Sequence, residues 1–377
     1  MVLLFADSLL GYGADSTNLL QNGKWFSKSG GTSQLIYSAT GGPFNGPYVG
    51  TVDDSHNLVS PNWTGTLSRP SPSVIRGNVS NPIHGAFYYR VNDPVTDIPS
   101  EGPFMGFEYD ESLREDRFNL QLRQPEGRML VSAFDATAPA ENTNRGYTQT
   151  NICDGQWHHI EFKWSSSNTV GIVQVWVDGN LEIDFSGDTL ADGVEASPGI
   201  ETFRFYGSNL SETHFAMPVI WDEEAGGLDN TGQLGPHRID TIRPDGPGNR
   251  NNFTANGGTT NDDRVSEALS DDATTVNTSN ATGDDDLYTY GNMNYSPQTI
   301  HTLAIQSRMT NIDTGASHQA RVLIRSSTSE ATGTSHTLSP SGTYDTFYDE
   351  RELDPQGGGA WTEARINAAE FGVENVT

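Results

Sequence analysis

The sequence predicts an all-β protein, a sandwich of antiparallel strands followed by a smaller β-rich region. Three observations carry this. Forty Gly and 19 Pro punctuate the 377 residues every few positions. The stretches between them are short runs of alternating or β-branched residues, the pattern of strands joined by turns. Long amphipathic periods, which a helical protein needs to bury a stripe on each helix, are missing.

Taken in order, 85–91 (GAFYYRV), 129–134 (MLVSAF), 159–164 (HIEFKW), 171–177 (GIVQVWV) and 202–206 (TFRFY) read as strands of a first domain over 1–236. The clearest unit is a hairpin. Asp154-Gly155 opens it, a Ser-rich turn at 165–168 joins its strands, and Asp178-Gly179 ends it in a tight turn. On its second strand Val173, Val175 and Val177 share one face, with Gln174, Trp176 and Asp178 on the other. Gly235-Pro236 and the turn-rich 243–248 mark a boundary. Residues 237–286 are rich in Asn, Thr, Gly and Asp and carry Asp262-Asp263, Asp271-Asp272 and Asp284-Asp285-Asp286. They are expected as a polar irregular connection, either disordered or wrapped along a partner. Strand patterns at 286–290, 299–305 and 320–325 then give a C-terminal β domain, 287–377. Thr362 can cap a short terminal helix over 363–369, which Gly372 would stop.

Charge narrows the function. Asp and Glu number 49 against 21 Lys and Arg, a net charge of −28. A nucleic-acid partner is excluded, because a duplex binder needs a basic footprint to displace counterions. No apolar run approaches the length of a membrane span, so no membrane insertion is expected. The N-terminus reaches Asp7 after six residues without a basic start, too short for a secretory signal. Cys153 stands alone, so no internal disulfide forms. Lys occurs three times against 18 Arg. Such a surface suits strong salt, although a GC-rich genome produces the same bias.

DGQWHHIEF at 154–162, followed by GIVQVWVDG at 171–179, resembles the laminin G-like, concanavalin A-like jelly roll. Members carry a D-G-x-W-H strand and then a strand ending in V-D-G. The resemblance implies two antiparallel sheets over roughly 1–236. LLFADSLLGY at 3–12 is similar to the opening strand of the version found in tailed viruses and prophages. VIWDEEAG at 219–226 is similar to its closing strand, with Glu223 where the family usually has a second Asp. RIDTIRPDG (238–246), DDDLY (284–288) and WTEARINAAEFGV (361–373) resemble the same viral proteins.

That resemblance implies a virion structural protein without enzyme activity, a tail fibre, baseplate or capsid-surface component. It would present a glycan- or receptor-binding sandwich to a host-surface glycan or glycoprotein. Its partners would be other virion proteins and further copies of itself in a homo-oligomer, with the C-terminal domain attaching or oligomerising. It would be made in the host cytoplasm and reside in the extracellular particle, and the acidic, Lys-poor composition fits a haloarchaeal host. A purely architectural decoration or cement protein is the alternative. An extracellular glycoside hydrolase is the third reading.

Candidate sites follow. Trp63, Tyr147 and Trp176 lie in or beside polar, turn-rich stretches and are the candidates for stacking on a sugar. Asp7, Asp222 and Glu223 would converge if the first and last strands pair, and such hard oxygen ligands suit Ca²⁺, the one cofactor the sequence points to. Solvated edge charges are the other reading of all three. His158 and His159 point to opposite faces of a strand, so both cannot easily ligate one ion. The resemblance makes Trp157 a core residue and one of these histidines its satisfied neighbour. Hydrolases of this fold place carboxylates alternately along one strand. Here Glu108 and Asp110 share a face, but the next such position is Ser112 and Glu111 points away, so the acid/base pair is incomplete. No catalytic residue is expected.

Overall fold

The computed structural model describes residues 2–6, 35–51, 57–59, 77–91, 102–108, 116–123, 127–133, 143–189, 202–206, 213–223, 232–257, 260–267, 274–297, 299–313, 317–340 and 342–377. Two compact units divide the chain. The first ends at Ile239 and the second runs from Asp240 to Thr377.

In the first unit β1 (Val2–Ala6), β2 (Leu35–Ser38), β3 (Tyr48–Thr51) and β4 (Asn57–Val59) precede the long strand β5 (Ile83–Val91). β6 (Gly102–Glu108), β7 (Asp116–Arg123), β8 (Arg128–Ala133) and β9 (Thr143–Asn151) follow as a meander. β10 (His158–Ser165), β11 (Gly171–Val177) and β12 (Asn180–Gly187) form another, and β13 (Thr202–Tyr206) and β14 (Thr213–Asp222) complete the unit. The larger sheet runs β12-β11-β10-β5-β14-β3-β2, with β1 also on β14, and the smaller runs β4-β13-β6-β7-β8-β9. Aromatic rings lock the two together. Phe87 meets Phe205 at 5.1 Å, Tyr89 stacks on Phe104 at 4.5 Å, and Phe118 meets Phe162 at 5.2 Å. The antiparallel sandwich expected from the sequence is therefore what the first unit forms.

The hairpin read from the sequence is β10–β11, and its motif has a mechanical role. Asp178 and Gly179 both take positive φ, 49° and 83°, as a tight two-residue turn after β11 requires. Asp178 accepts from the His159 backbone N–H at 2.8 Å and holds His158 Nδ1 at 2.8 Å, while Asp154 holds His158 Nε2 at 3.0 Å. His158 is a clasp between two turns.

In the second unit β15 (Pro244–Asn251), β16 (Thr254–Ala255), β17 (Asn277–Thr278), β18 (Asp285–Tyr290), β19 (Leu303–Met309), β20 (Gln319–Ser326), β21 (Ser329–Thr332), β22 (His336–Thr337) and β23 (Asp345–Arg351) precede a helix, α1 (Glu363–Asn367), and β24 (Glu370–Asn375). One sheet runs β15-β18-β24-β20-β21 with β22 on β20, and β16–β17 and β19–β23 are separate pairs. Val322, Ile324, Trp361, Ile366, Ala369 and Phe371 make its core.

Two expectations need correcting here. Residues 237–286 contain β15, which edges the main sheet of the second unit, and the β16–β17 pair, so they are not simply a connection. The sequence PDGPGNRN reads as turns because Pro cannot donate to a ladder, yet an edge strand needs no donor on its open side. The terminal helix is capped as expected, Thr362 Oγ1 accepting from Arg365 N at 3.3 Å, but it ends at Asn367. Gly372 does not stop it. That glycine lies within β24 opposite Leu287, where a Cβ would stand 1.8 Å from the Asp286 carbonyl oxygen.

Candidate functional site

Antiparallel pairing sets directly opposed residues on one face, and on the outer face of the larger sheet it gathers chemistry into rows. Lys163 on β10, His84 on β5 and Trp221 on β14 form one row. Trp176, Glu161, Ala86 and Val219 form the next, then His159, Tyr88 and Ala216. The last row is Arg90, His214 and Gly50. β14 is buried along its whole length and β5 almost so, so both faces of the sheet are covered there.

The cover is the segment 232–239 of the same unit. Leu234 and Ile239 pack on Ala86, Val219 and Trp221. The backbone N–H groups of Leu234 and Gly235 donate to the two oxygens of Glu161 at 2.6 and 2.9 Å. His237 Nε2 donates to the Met217 carbonyl at 2.7 Å, which makes its Nδ1 the acceptor for His159 Nε2 at 3.1 Å. Tyr88 OH donates to the His237 carbonyl at 3.1 Å. Burial pushes the Glu161 carboxyl up to about 7, against the pull of its backbone donors. Burial, with His237 adding to it, pushes His159 down to about 3. The strap therefore sits on a protonatable carboxyl and a neutral imidazole.

The row beyond the strap is partly open. Arg90 Nη2 and Nε donate to His214 Nδ1 at 2.7 and 3.2 Å, and its guanidinium lies 4.9 Å from the Trp157 ring centroid and 5.6 Å from that of Tyr48. Each such cation–π contact is worth about 0.5–2 kcal/mol. Tyr48 packs on His214 with centroids 4.3 Å apart. Gly50 permits this, because a Cβ there would stand 2.8 Å from His214 Cδ2. Trp157 Nε1 donates to the Gly41 carbonyl at 3.1 Å, which ties the 41–46 turn to the cluster. On that turn Phe44 is 55% exposed at φ +54°, followed by Asn45 at φ +59°. Its ring stands edge-on to Tyr88, 5.8 Å away. Two successive non-glycine residues in the left-handed region cost about 1–3 kcal/mol each.

Of the described residues singled out from the sequence, Tyr147 and Trp176 lie on different sheets, and Trp157 joins the cluster. Trp176 is half-buried on the outer face beside Glu161, whereas Tyr147 lies on β9 of the other sheet. Trp63 and Asp7 lie outside the described residues, as do Asp110, Glu111 and Ser112. The proposed Ca²⁺ ligand Glu223 is committed elsewhere: Lys163 Nζ sits 2.6 Å and His84 Nε2 2.8 Å from the same oxygen. Burial raises its pKa, but these two donors outweigh that and leave it below the usual carboxylate range. A lysine thus stands where a cation was expected, and among the described residues no three acidic, His or Cys side chains are placed to hold a metal. Trp157 is not an interior core residue but half-buried at the surface of the sheet, under Arg90. Phe44, Tyr48 and Arg90 were missed, because only the β3–β14–β5 register and the fold of the 41–46 turn bring them to Trp157.

No family model matches the chain, and no curated protein does. Solved structures of similar fold include an alginate lyase, at 12% identity and a TM-score of 0.38 over 57% of this chain and 95% of the other. An endo-1,3-β-glucanase from Streptomyces sioyaensis matches at 9% identity and a TM-score of 0.40, over 58% and 95%. A Trypanosoma rangeli sialidase matches at 14% and 0.32, over 46% and 25%. The chain is distantly similar in fold to concanavalin A-like sandwiches of carbohydrate-active enzymes, and nothing about its activity rests on that likeness.

Proposed function

We propose that the first unit is a non-catalytic glycan-binding sandwich whose ligand lies against Phe44, Tyr48, Arg90 and Trp157. The observation that carries this is Phe44, a large apolar side chain held in solvent by strained backbone, edge-on to Tyr88, against which Tyr48 and Trp157 also pack. Strain of this kind is kept where the surrounding structure enforces it, commonly at ligand contacts. Rings with one wet face suit the apolar face of a sugar while leaving its hydroxyls to solvent. Carboxylates described on this face are engaged in structure, Glu161 under the strap, Glu223 in its ion pairs and Asp184 by Gln174, which favours binding over hydrolysis.

The motifs near both ends of the sandwich, and those in the second unit, support placing the protein on the surface of a tailed virus. There a homo-oligomer would turn weak sugar contacts into stable attachment. The role is that of a tail-fibre, baseplate or capsid-surface component. A glycan array in high salt tests the binding role. Binding of at least one glycan is expected, with a roughly tenfold weakening in Phe44→Ala, about 1.4 kcal/mol. Absence of binding across the array would leave an architectural role, and steady release of sugar products would make the protein an enzyme.

A further inference from the structure

We infer that the ligand of this face is an acidic glycan and that Arg90 reads its carboxylate. This rests on the glycan-binding reading of the same face and names the substrate class. Cations are scarce in this chain, 21 against 49 acidic residues, and several of those described are paired with carboxylates. Lys163 pairs with Glu223, Arg250 with Asp285 and Glu330, Arg321 with Glu374, and Arg325 with Glu370. Arg90 differs. Its hydrogen bonds go to an imidazole nitrogen and its guanidinium lies beside two rings, with no carboxylate among its described partners.

The geometry leaves a defined part of the group available. His214 Nδ1 engages Nε and Nη2, which turns one edge of the guanidinium inward. The outer edge remains, where one N–H of Nη1 and the second N–H of Nη2 point in parallel, the pair that a carboxylate matches with two hydrogen bonds. Trp157 and Tyr48 hold that plane in place, so little side-chain freedom is lost when an anion arrives. Phe44 and Trp157 supply the apolar shelf for the ring bearing the acid.

The test uses the full chain and paired probes that differ only in charge. Oligogalacturonate, oligoglucuronate and sialyl-oligosaccharides are each titrated beside their methyl esters, at 0.15 M and 1 M NaCl, with sulfated galactan oligosaccharides as a separate arm. At least one free acid should bind tenfold or more tightly than its ester. Arg90→Gln should abolish that preference, and Arg90→Lys should recover only part of it, because a point charge cannot make the paired contact. The comparison of acid with ester on the unaltered protein needs no variant to fold. Equal binding of acid and ester, or a preference that survives Arg90→Gln, would overturn the inference while sparing the glycan-binding reading. A sulfate preference over every carboxylate, lost in Arg90→Gln, would overturn the carboxylate assignment. No binding by any probe, neutral ones included, would remove both.

Discussion

Glu161 and His159, two residues apart on one face of β10, respond to pH in opposite senses. The Glu161 carboxyl titrates at about 7 in the folded chain against 4.5 when exposed, so folding favours its protonated form. Its contribution is fully present below pH 4.5 and is lost as pH rises through 7. His159 is pushed from 6.5 to about 3, so the folded chain refuses its proton. That contribution is fully present above pH 6.5 and is lost as pH falls toward 3. Between 4.5 and 6.5 the two oppose each other, and His84, which burial also lowers, acts with His159. Urea unfolding should give a stability that rises only shallowly with pH across this range and falls below pH 4.5. Glu161→Gln removes the opposing slope, so its stability should climb by a few kcal/mol from pH 4.5 to 6.5. A profile unchanged from that of the parent would show that Glu161 is not buried under the strap. Cys153 offers a simpler check: it is 1% exposed and burial raises its thiol to about 12. A thiol reagent at pH 8 should label it only as the chain unfolds, because the thiolate is the reactive form.

Among the elements, β24 shows how a residue that reads one way locally is used another way in the fold. Gly372 follows a helix-like run, and a helix stop is its local meaning. In the folded chain it faces Leu287 across the β18–β24 ladder, and it is the space that matters, since a Cβ would collide with the Asp286 carbonyl. Gly372→Ala should therefore destabilise the second unit by more than the roughly 1–3 kcal/mol typical of overpacking. The measurement is the midpoint of its unfolding transition, and an unshifted midpoint would contradict the pairing of β18 with β24. β15 carries the same lesson. Two prolines make 244–251 unreadable as an interior strand, but at the edge of the sheet they are tolerated and even protective, because a proline-bearing edge does not recruit further strands.

Over the whole molecule, a charge of −28 on 377 residues sets the dependence on salt. Raising the ionic strength from 0.1 to 1 M shortens the screening length from about 10 to about 3 Å. Repulsion among distant carboxylates is then largely removed, whereas the short contacts Lys163–Glu223 and Arg321–Glu374, at 2.6 and 2.8 Å and only partly exposed, are screened less. The melting temperature should rise with NaCl over this interval. A fall would mean that ion pairs outweigh self-repulsion in holding the chain together.

Local pattern was enough for much of this protein. The all-β class, the β10–β11 hairpin with its Asp-Gly turn, and the Thr362 cap all follow from alternation and turn chemistry acting within a few residues. The division of the chain near residue 239 is also marked by its turn-forming residues. The outer face of the larger sheet was decided by tertiary structure alone. The stretch holding Phe44 and Tyr48 is far along the chain from Arg90, Trp157 and His214, and they share no local motif; strand register brings Arg90 opposite His214, and the fold of the 41–46 turn adds Phe44. The same holds for the buried charges. Whether Glu161 and Glu223 are solvated, metal-bound or paired depends on which distant groups reach them, and burial with long-range partners is what a one-dimensional pattern does not encode.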